Sequence, residues 1–469
     1  MTDPIQQFVN ERWEQSIVPT LCDYIRIPNK SPAFDPDWLA NGHMHKAVEM
    51  LRDWCGSLDI EGLHCEMHAL PGRTPVLTCE IPATPGGKGN VLLYGHYDKQ
   101  PEFAGWENGL GPWEPVLRDG KLYGRGGADD GYALFGSLTA IAALQAEGMD
   151  HGRCVVLIEG CEESGSFDLP FYVEALSDLI GQPDLVICLD AECGNYEQLW
   201  VTTSLRGMLP GVLEVQVLTE GQHSGAAGGI VPSSFRLLRS VLERIEDAGT
   251  GQLHPSLYVD IPDSAREQLT AVAAVLGDTV TSRFPWVDGA HAEVADNVEL
   301  LINNAWRPSL ATVGIAGAPP PADAGNTLRP GTSAKLVLRL PPTLEAEGAA
   351  ASIKAELERD PPAGATVNFA LETPQTGWCA PEVSGWLAQS LERASARAFG
   401  KPAMYMGMGG TIPFMKMLGD SFPGVQFLVT GVLGPNSNAH GPNEFLEIAT
   451  GKRITACVAH VLADHVRKG

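Results

Sequence analysis

Along the first 205 residues, short apolar runs alternate with stretches of helical spacing, the order expected of an α/β sheet. The runs predict strands over 76–81, 91–94, 155–158, 185–189 and 200–203. A helix is predicted after the glycine-rich GRGGADDG (124–131). Its apolar positions Leu134, Phe135, Leu138, Ile141 and Ala142 recur at helical spacing, and Gly148 closes it. The texture changes at Arg206–Gly207. Strand-like LPGVLEVQVLT is followed by a helix carrying Phe235, Leu238, Val241, Leu242 and Ile245. A second strand–helix unit begins at AKLVLRLPP (334–342). Residues 383–399 then return to an amphipathic helix, 425–431 to a buried strand, and 444–467 to a closing helix. The pattern describes a discontinuous α/β domain interrupted by a smaller α+β domain.

The residues just beyond each apolar run are more informative than the run itself. VLLYG leads to His96 and Asp98, and VVLIEG leads to Glu162 and Glu163. LVICL leads to Asp190, and QFLVTG leads through a loop to His440. The helix after GRGGADDG carries Asp129 at its start. Ligands of open α/β sheets bind at the carboxyl ends of strands, so these side chains should meet in one crevice. Taken singly, each is an ordinary cap, turn or surface group. Asp129 could cap its helix, and the paired glutamates could form a solvated turn. Five segments obeying one rule is another matter.

Two imidazoles and several carboxylates, without a thiol, suit zinc, manganese or cobalt. Five ligands exceed one tetrahedral zinc with an open position. They serve two metals about 3.5–4 Å apart if one carboxylate bridges. Glu162, beside a ligand, is then free to move protons.

Composition narrows the partners. The chain has 469 residues, room for two cores, with 44% hydrophobic and 19% charged positions. Its 32 basic and 57 acidic residues give a net charge of −25, which argues against a nucleic-acid partner. The ten cysteines form no CxxC pair and read as free thiols of a reducing compartment. The polar N-terminus does not read as a signal peptide, and no apolar stretch reaches the ~20 residues of a membrane helix. A cytoplasmic protein with no membrane partner is expected.

The segments YGHYDKQP (94–101), PWEPVLRDGKLYGRGGADDG (112–131), EGCEESGS (159–166), DLVICLDAE (184–192), SLRG (204–207), GQHSGAAGG (221–229), KLVLRLPP (335–342) and NAHGPNE (438–444) together resemble the M20 family of di-zinc peptidases, in its carnosinase-like aminoacyl dipeptidase branch. They span nearly the whole chain in the family's order.

The resemblance implies a mixed-sheet catalytic domain over 1–206 and 377–469, with an inserted α+β lid and dimerisation domain over 207–376. It implies one metal on His96 and Asp190, another on Glu163 and His440, and Asp129 bridging them. Glu162 would be the general base and then acid, and Asp98 would orient the His96 imidazole. A cis peptide would follow the bridging residue, at Asp129–Asp130. His223 of QHSG, a turn or helix cap by its local sequence, would hold the oxyanion, often from the other subunit of a homodimer. Arg339, otherwise an outward strand charge, would grip the substrate carboxylate. Asn326, Gly410 and Thr411 would contribute to the same site.

Two places depart from the family. Gly131 stands where a Lys is common. Gly407 and Met408, opening GMGGTIPF, stand where the branch carries Arg-Glu. Both bear on the substrate rather than the metals. The expected activity is metal-dependent hydrolysis of the amide bond of a dipeptide or similar small peptide. An N-acyl amino acid amidohydrolase would use the same centre. A non-enzymatic binding protein on this fold would be expected to have lost ligands or the base, and this chain retains them all.

Overall fold

The computed structural model describes residues 3–468. Its central sheet has six strands in the order His64–His68, Val76–Ile81, Arg153–Glu159, Asn90–His96, Leu185–Cys188 and Gln426–Val429. The last four run parallel, and the first two are antiparallel to their neighbours. The parallel strands are buried on both faces and read as unbroken apolar runs for that reason. Alternation divides their side chains between two cores. Val91, Leu93, Val156, Ile158 and Ile187 join the core under helices Ala133–Ala146 and Ile448–His465. Leu92, Tyr94, Val155, Leu157 and Val186 join the opposite core, with Phe414, Met415 and Leu418 of helix Pro413–Ser421.

The predicted strands and the helix after GRGGADDG are present. The closing helix begins later than its sequence suggests. Phe445–Glu447 first pair with Lys121–Tyr123 as a short strand, which buries Phe445 and Leu446. Helix Ile448–His465 then starts with the Glu447 carboxylate accepting the Thr450 N–H.

A three-stranded sheet centred on Trp200–Leu205 leads to a four-stranded antiparallel sheet of Ser309–Ala316, Gly331–Leu340, Gly207–Gln216 and Thr366–Leu371. Helices Ser234–Leu242 and Ala346–Glu358 cover one face of the latter. The chain leaves at Gly207 and returns at Gly377. A Cβ on Gly207 would stand 2.6 Å from the Gln375 carbonyl oxygen, and one on Gly377 would stand 2.5 Å from that of Leu205. The two crossings therefore lie backbone against backbone, and only glycine fits.

Helices Asp263–Leu276 and Asn297–Ala305, to which the sequence pattern assigns no place, pack elsewhere. Val272 and the partly buried Leu276 and Leu301 join the core of Met406 and Met408 on strand Met404–Met408. All ten cysteines are free thiols. No helix among the described residues is long and apolar enough to cross a membrane.

Candidate metal centre

The four parallel strands present their carboxyl ends on one edge of the sheet, and the polar residues beyond them converge there. His96 ends its own strand and is buried. Its Nε2 lies 3.3 Å from Asp129 Oδ1 and 3.8 Å from Asp190 Oδ2. His440 Nε2 lies 3.0 Å from Asp129 Oδ2 and 3.3 Å from Glu163 Oε2. Two triads result, His96–Asp129–Asp190 and Asp129–Glu163–His440, each with its donor atoms within 4.8 Å of one another. Asp129 is common to both and offers one oxygen to each side. A pair of divalent cations sharing one carboxylate fits this donor set. The peptide bond between Asp129 and Asp130 is cis.

Asp98 is tied in more firmly than expected. Its two carboxylate oxygens accept the N–H groups of Glu162 and Glu163, both at 3.0 Å. The nearest acceptor to His96 Nδ1 is the Asp98 carbonyl oxygen at 3.1 Å, with the carboxylate at 3.4 Å. Asp98 thus holds the turn that carries Glu162 and Glu163, and its main chain steers the His96 imidazole.

Sequence reasoning missed several neighbours. Gln100 Nε2 donates at 2.6 Å to Glu163 Oε2, the oxygen that also faces His440, and so orients that carboxylate. Glu159 is no ligand. It is buried and accepts from Tyr94 Oη at 2.6 Å and Ser166 Oγ at 2.8 Å, pinning the turn at its far end. Arg125 and Glu444 form a buried ion pair. Glu444 also accepts the Gly126 N–H at 2.9 Å, while Arg125 donates to the Gly441 carbonyl at 2.7 Å. This pair joins the GRGG turn, which delivers Asp129, to the loop that delivers His440. Gln100, Arg125 and Glu444 all lie inside the family-like motifs, which was the available signal.

Burial and crowded charge govern the protonation of these groups. Burial, with Asp129 adding to it, raises Glu163 to about 8. Burial raises Asp190 to about 6 and Glu159 to about 7. Burial, followed by the Asp190 charge, pushes Glu162 well above the usual carboxylate range. Burial opposes ionisation of Asp129 too, but hydrogen bonds from His440 and His96 outweigh it and hold that carboxyl low. His440 sits at the mouth with 55% of its side chain exposed. Partial desolvation lowers it, yet Glu163 and Asp129 raise it to about 10. Such a set favours protons in the absence of a cation and releases them to one.

Asp129, Glu162, Asp190, His440, Arg339, Gly410 and Thr411 line one cleft of about 540 Å³. Arg339 Nη1 donates to Thr411 Oγ1 at 3.2 Å. Strand Gly331–Leu340 buries every second side chain, and Arg339 stands on its other face, toward the cleft. His223 and Asn326 are not part of this wall. Both are exposed beside a small two-stranded antiparallel pairing of Gln222–His223 with Thr327–Leu328, where the Ser224 N–H donates to the Asn326 carbonyl at 2.9 Å. There the His223 ring accepts the Gly225 N–H at 3.2 Å, as a cap.

At Gly131 and Gly407 the space a side chain would need is already filled. A Cβ at Gly131 would stand 2.4 Å from the Gly126 carbonyl oxygen and 2.4 Å from the Tyr24 ring. One at Gly407 would stand 2.5 Å from Ser204 Oγ and 2.9 Å from Ala305 Cβ.

Residues 92–464 match the profile of Peptidase family M20/M25/M40, and the chain belongs to that family of peptidases. It is 28% identical over 395 residues to a cysteinylglycine-S-conjugate dipeptidase of Corynebacterium striatum, covering 81% of this chain and 82% of that protein. It is 30% identical over 249 residues to the human Beta-Ala-His dipeptidase, covering 52% of this chain and 48% of that one. The crystal structure of human carnosine dipeptidase 1 superposes with a TM-score of 0.80 at 22% identity, over 99% of this chain and 98% of that one. The yeast di-peptidase Dug1p gives 0.81 at 20% identity, with the same coverages. These two likenesses establish the catalytic-plus-lid fold.

Proposed function

We propose that this protein is a di-metal dipeptidase that hydrolyses the amide bond of small peptides. The observation that carries the reading is the pair of ligand triads sharing Asp129, with Glu162 in the same cleft. His96 and Asp190 would hold one cation, and Glu163 and His440 the other. The nitrogen and oxygen donors favour zinc, with manganese and cobalt as alternatives. A bound cation pair supplies Lewis acidity toward the scissile carbonyl and a water acidified for attack. Glu162 would take a proton from the attacking water and deliver it to the leaving amide nitrogen. Arg339, steadied by Thr411, receives the substrate carboxylate, and Gly410 lets the backbone of that loop lie close to it.

His223 and Asn326 would act from a second subunit, His223 holding the oxyanion. Their exposure away from the cleft of their own chain supports a role in trans. A homodimer through the inserted domain is supported by strand Ser309–Ala316. It is an unpaired sheet edge with Val313 60% and Ile315 62% exposed, the kind of edge proteins cover. The domain division 1–206 and 377–469 against 207–376 follows the two backbone crossings at Gly207 and Gly377. The free thiols suit a reducing, cytoplasmic setting.

The test is a turnover screen of protein loaded with zinc or manganese against dipeptides and N-acyl amino acids, with a chelated control. The names of the relatives recommend including cysteinylglycine, its S-substituted forms and β-alanyl-histidine. Chelator-sensitive cleavage of dipeptides is expected. Cleavage of acyl substrates alone would replace this reading with the amidohydrolase.

A further inference from the structure

We propose that an apolar cavity beside the Arg339 anchor is the subsite for the side chain of the substrate's C-terminal residue, and that it selects a large apolar one. The inference rests on the peptidase reading above and specifies which end of the substrate that peptidase discriminates.

A cavity of about 340 Å³ adjoins the metal cleft. The two share Glu192, Arg206, Arg283, Phe284 and Asn304 as a common wall. Beyond that wall the cavity is lined by Leu269, Val272, Leu301, Trp286 and Met406. Helices Asp263–Leu276 and Asn297–Ala305, packed on strand Met404–Met408, supply most of that lining. Its size falls in the range of small-molecule sites, ~300–1,000 Å³. An apolar cavity has little hold on water and favours an apolar occupant.

A ring of contacts ties this cavity to the carboxylate anchor. Arg339 Nη1 donates to Thr411 Oγ1 at 3.2 Å, and that hydroxyl donates to the Arg206 carbonyl. Arg206 Nη1 in turn donates to Ser309 Oγ at 3.0 Å. Ser309 is the cross-strand partner of Arg339, and such partners share one face of a sheet. Arg339 and Thr411 line the cleft, Ser309 lines the cavity, and Arg206 lines both. The ring therefore spans the boundary between them.

Charge points to the same end. The shared wall carries Arg206 and Arg283 against the single acid Glu192, so it is net positive and suits a carboxylate. A carboxylate and a side chain leave the same Cα. A C-terminal residue whose carboxylate rests on Arg339 thus holds its side chain within reach of a cavity that begins at Ser309 and Arg206. The N-terminal residue is separated from that anchor by the scissile amide.

The experiment measures kcat/KM of the metal-loaded wild type and of the Ala292→Trp and Trp286→Ala variants on two series. Ala-Gly, Ala-Leu and Ala-Phe vary the C-terminal residue, and Leu-Gly and Phe-Gly vary the N-terminal one. Ala292 lines the cavity from the irregular segment before helix Asn297–Ala305, so a Trp there fills the space without entering a helix. The wild type is expected to favour Ala-Phe over Ala-Gly by about tenfold or more. Ala292→Trp should lower that ratio about tenfold, and Trp286→Ala should narrow it, while the Phe-Gly to Ala-Gly ratio changes by less than about twofold in both. Dipeptide cleavage with no preference for large apolar C-terminal residues would overturn this inference and leave the peptidase reading standing. So would an Ala292→Trp variant that shifts the Phe-Gly to Ala-Gly ratio instead. No cleavage of any dipeptide, with both metals bound, would overturn the two together.

Discussion

At Asp129 one buried carboxylate faces two histidines, one through each oxygen, and the chemistry of the site depends on that division. Glu162 shares the cleft with Asp129, and its backbone is locked by Asp98. Exchanging Glu162 for Gln keeps its shape and removes its basicity. The variant should bind both metals normally and lose about 10²–10⁴-fold in kcat. A Glu162→Gln enzyme of near-normal rate would remove the residue from proton transfer.

Protonation of individual side chains gives a second prediction. In the metal-free protein Asp190 at about 6, Glu159 at about 7 and Glu163 at about 8 retain protons that the unfolded chain has already released. The native state then binds more protons than the unfolded state, so stability falls as pH rises from about 4.5 to about 8. His440, raised to about 10, acts in the same sense: its contribution is full below about 6.5 and is lost toward 10. Saturating zinc should oppose the decline, because the cation takes the place of the protons. Thermal melts across this range, with chelator and with zinc, check the sign. A metal-free Tm that climbs through the window would contradict it.

Elements set these residues in place, and here much was readable from the sequence. An apolar run ending at a ligand-type residue located His96, Glu162, Glu163 and Asp190, because parallel strands are buried on both faces and must end at the site edge. The short strand Phe445–Glu447 was not readable. Its three residues carry no periodicity, and its partner Lys121–Tyr123 lies more than 300 positions earlier. Helix Asp263–Leu276 could not be placed either. Its spacing announces an apolar face, but not that the face packs on Met404–Met408 rather than on the inserted sheet.

The Arg125–Glu444 pair acts between elements, joining the Asp129 turn to the His440 loop. Glu444→Gln should leave the Arg125 charge buried without its partner, a change that costs about 3–5 kcal/mol in such settings. Metal analysis after dialysis should show the Glu163–His440 position losing its cation before the other. Two tightly held equivalents in that variant would confine the pair to stability alone.

In a homodimer of the kind proposed, His223 as oxyanion donor would tie catalysis to association. His223 caps its own short helix and does not line the cleft of its own chain. If it serves a partner, the Ser309–Ala316 edge and turnover are linked. Replacing Val313 and Ile315 by Lys should yield a monomer by light scattering. That monomer should retain its metals yet turn over as poorly as His223→Ala. A fully active monomer would place the oxyanion donor within one chain.

Two cations sharing Asp129 are what would make this chain a peptidase. The decisive measurement is a titration of chelator-stripped protein with zinc or manganese, reading bound equivalents and dipeptide hydrolysis in the same samples. Two equivalents bound, with hydrolysis appearing as the sites fill and absent from the stripped protein, is the expected result. Undiminished hydrolysis by the stripped protein, or saturation of binding at one equivalent with full activity, would contradict it.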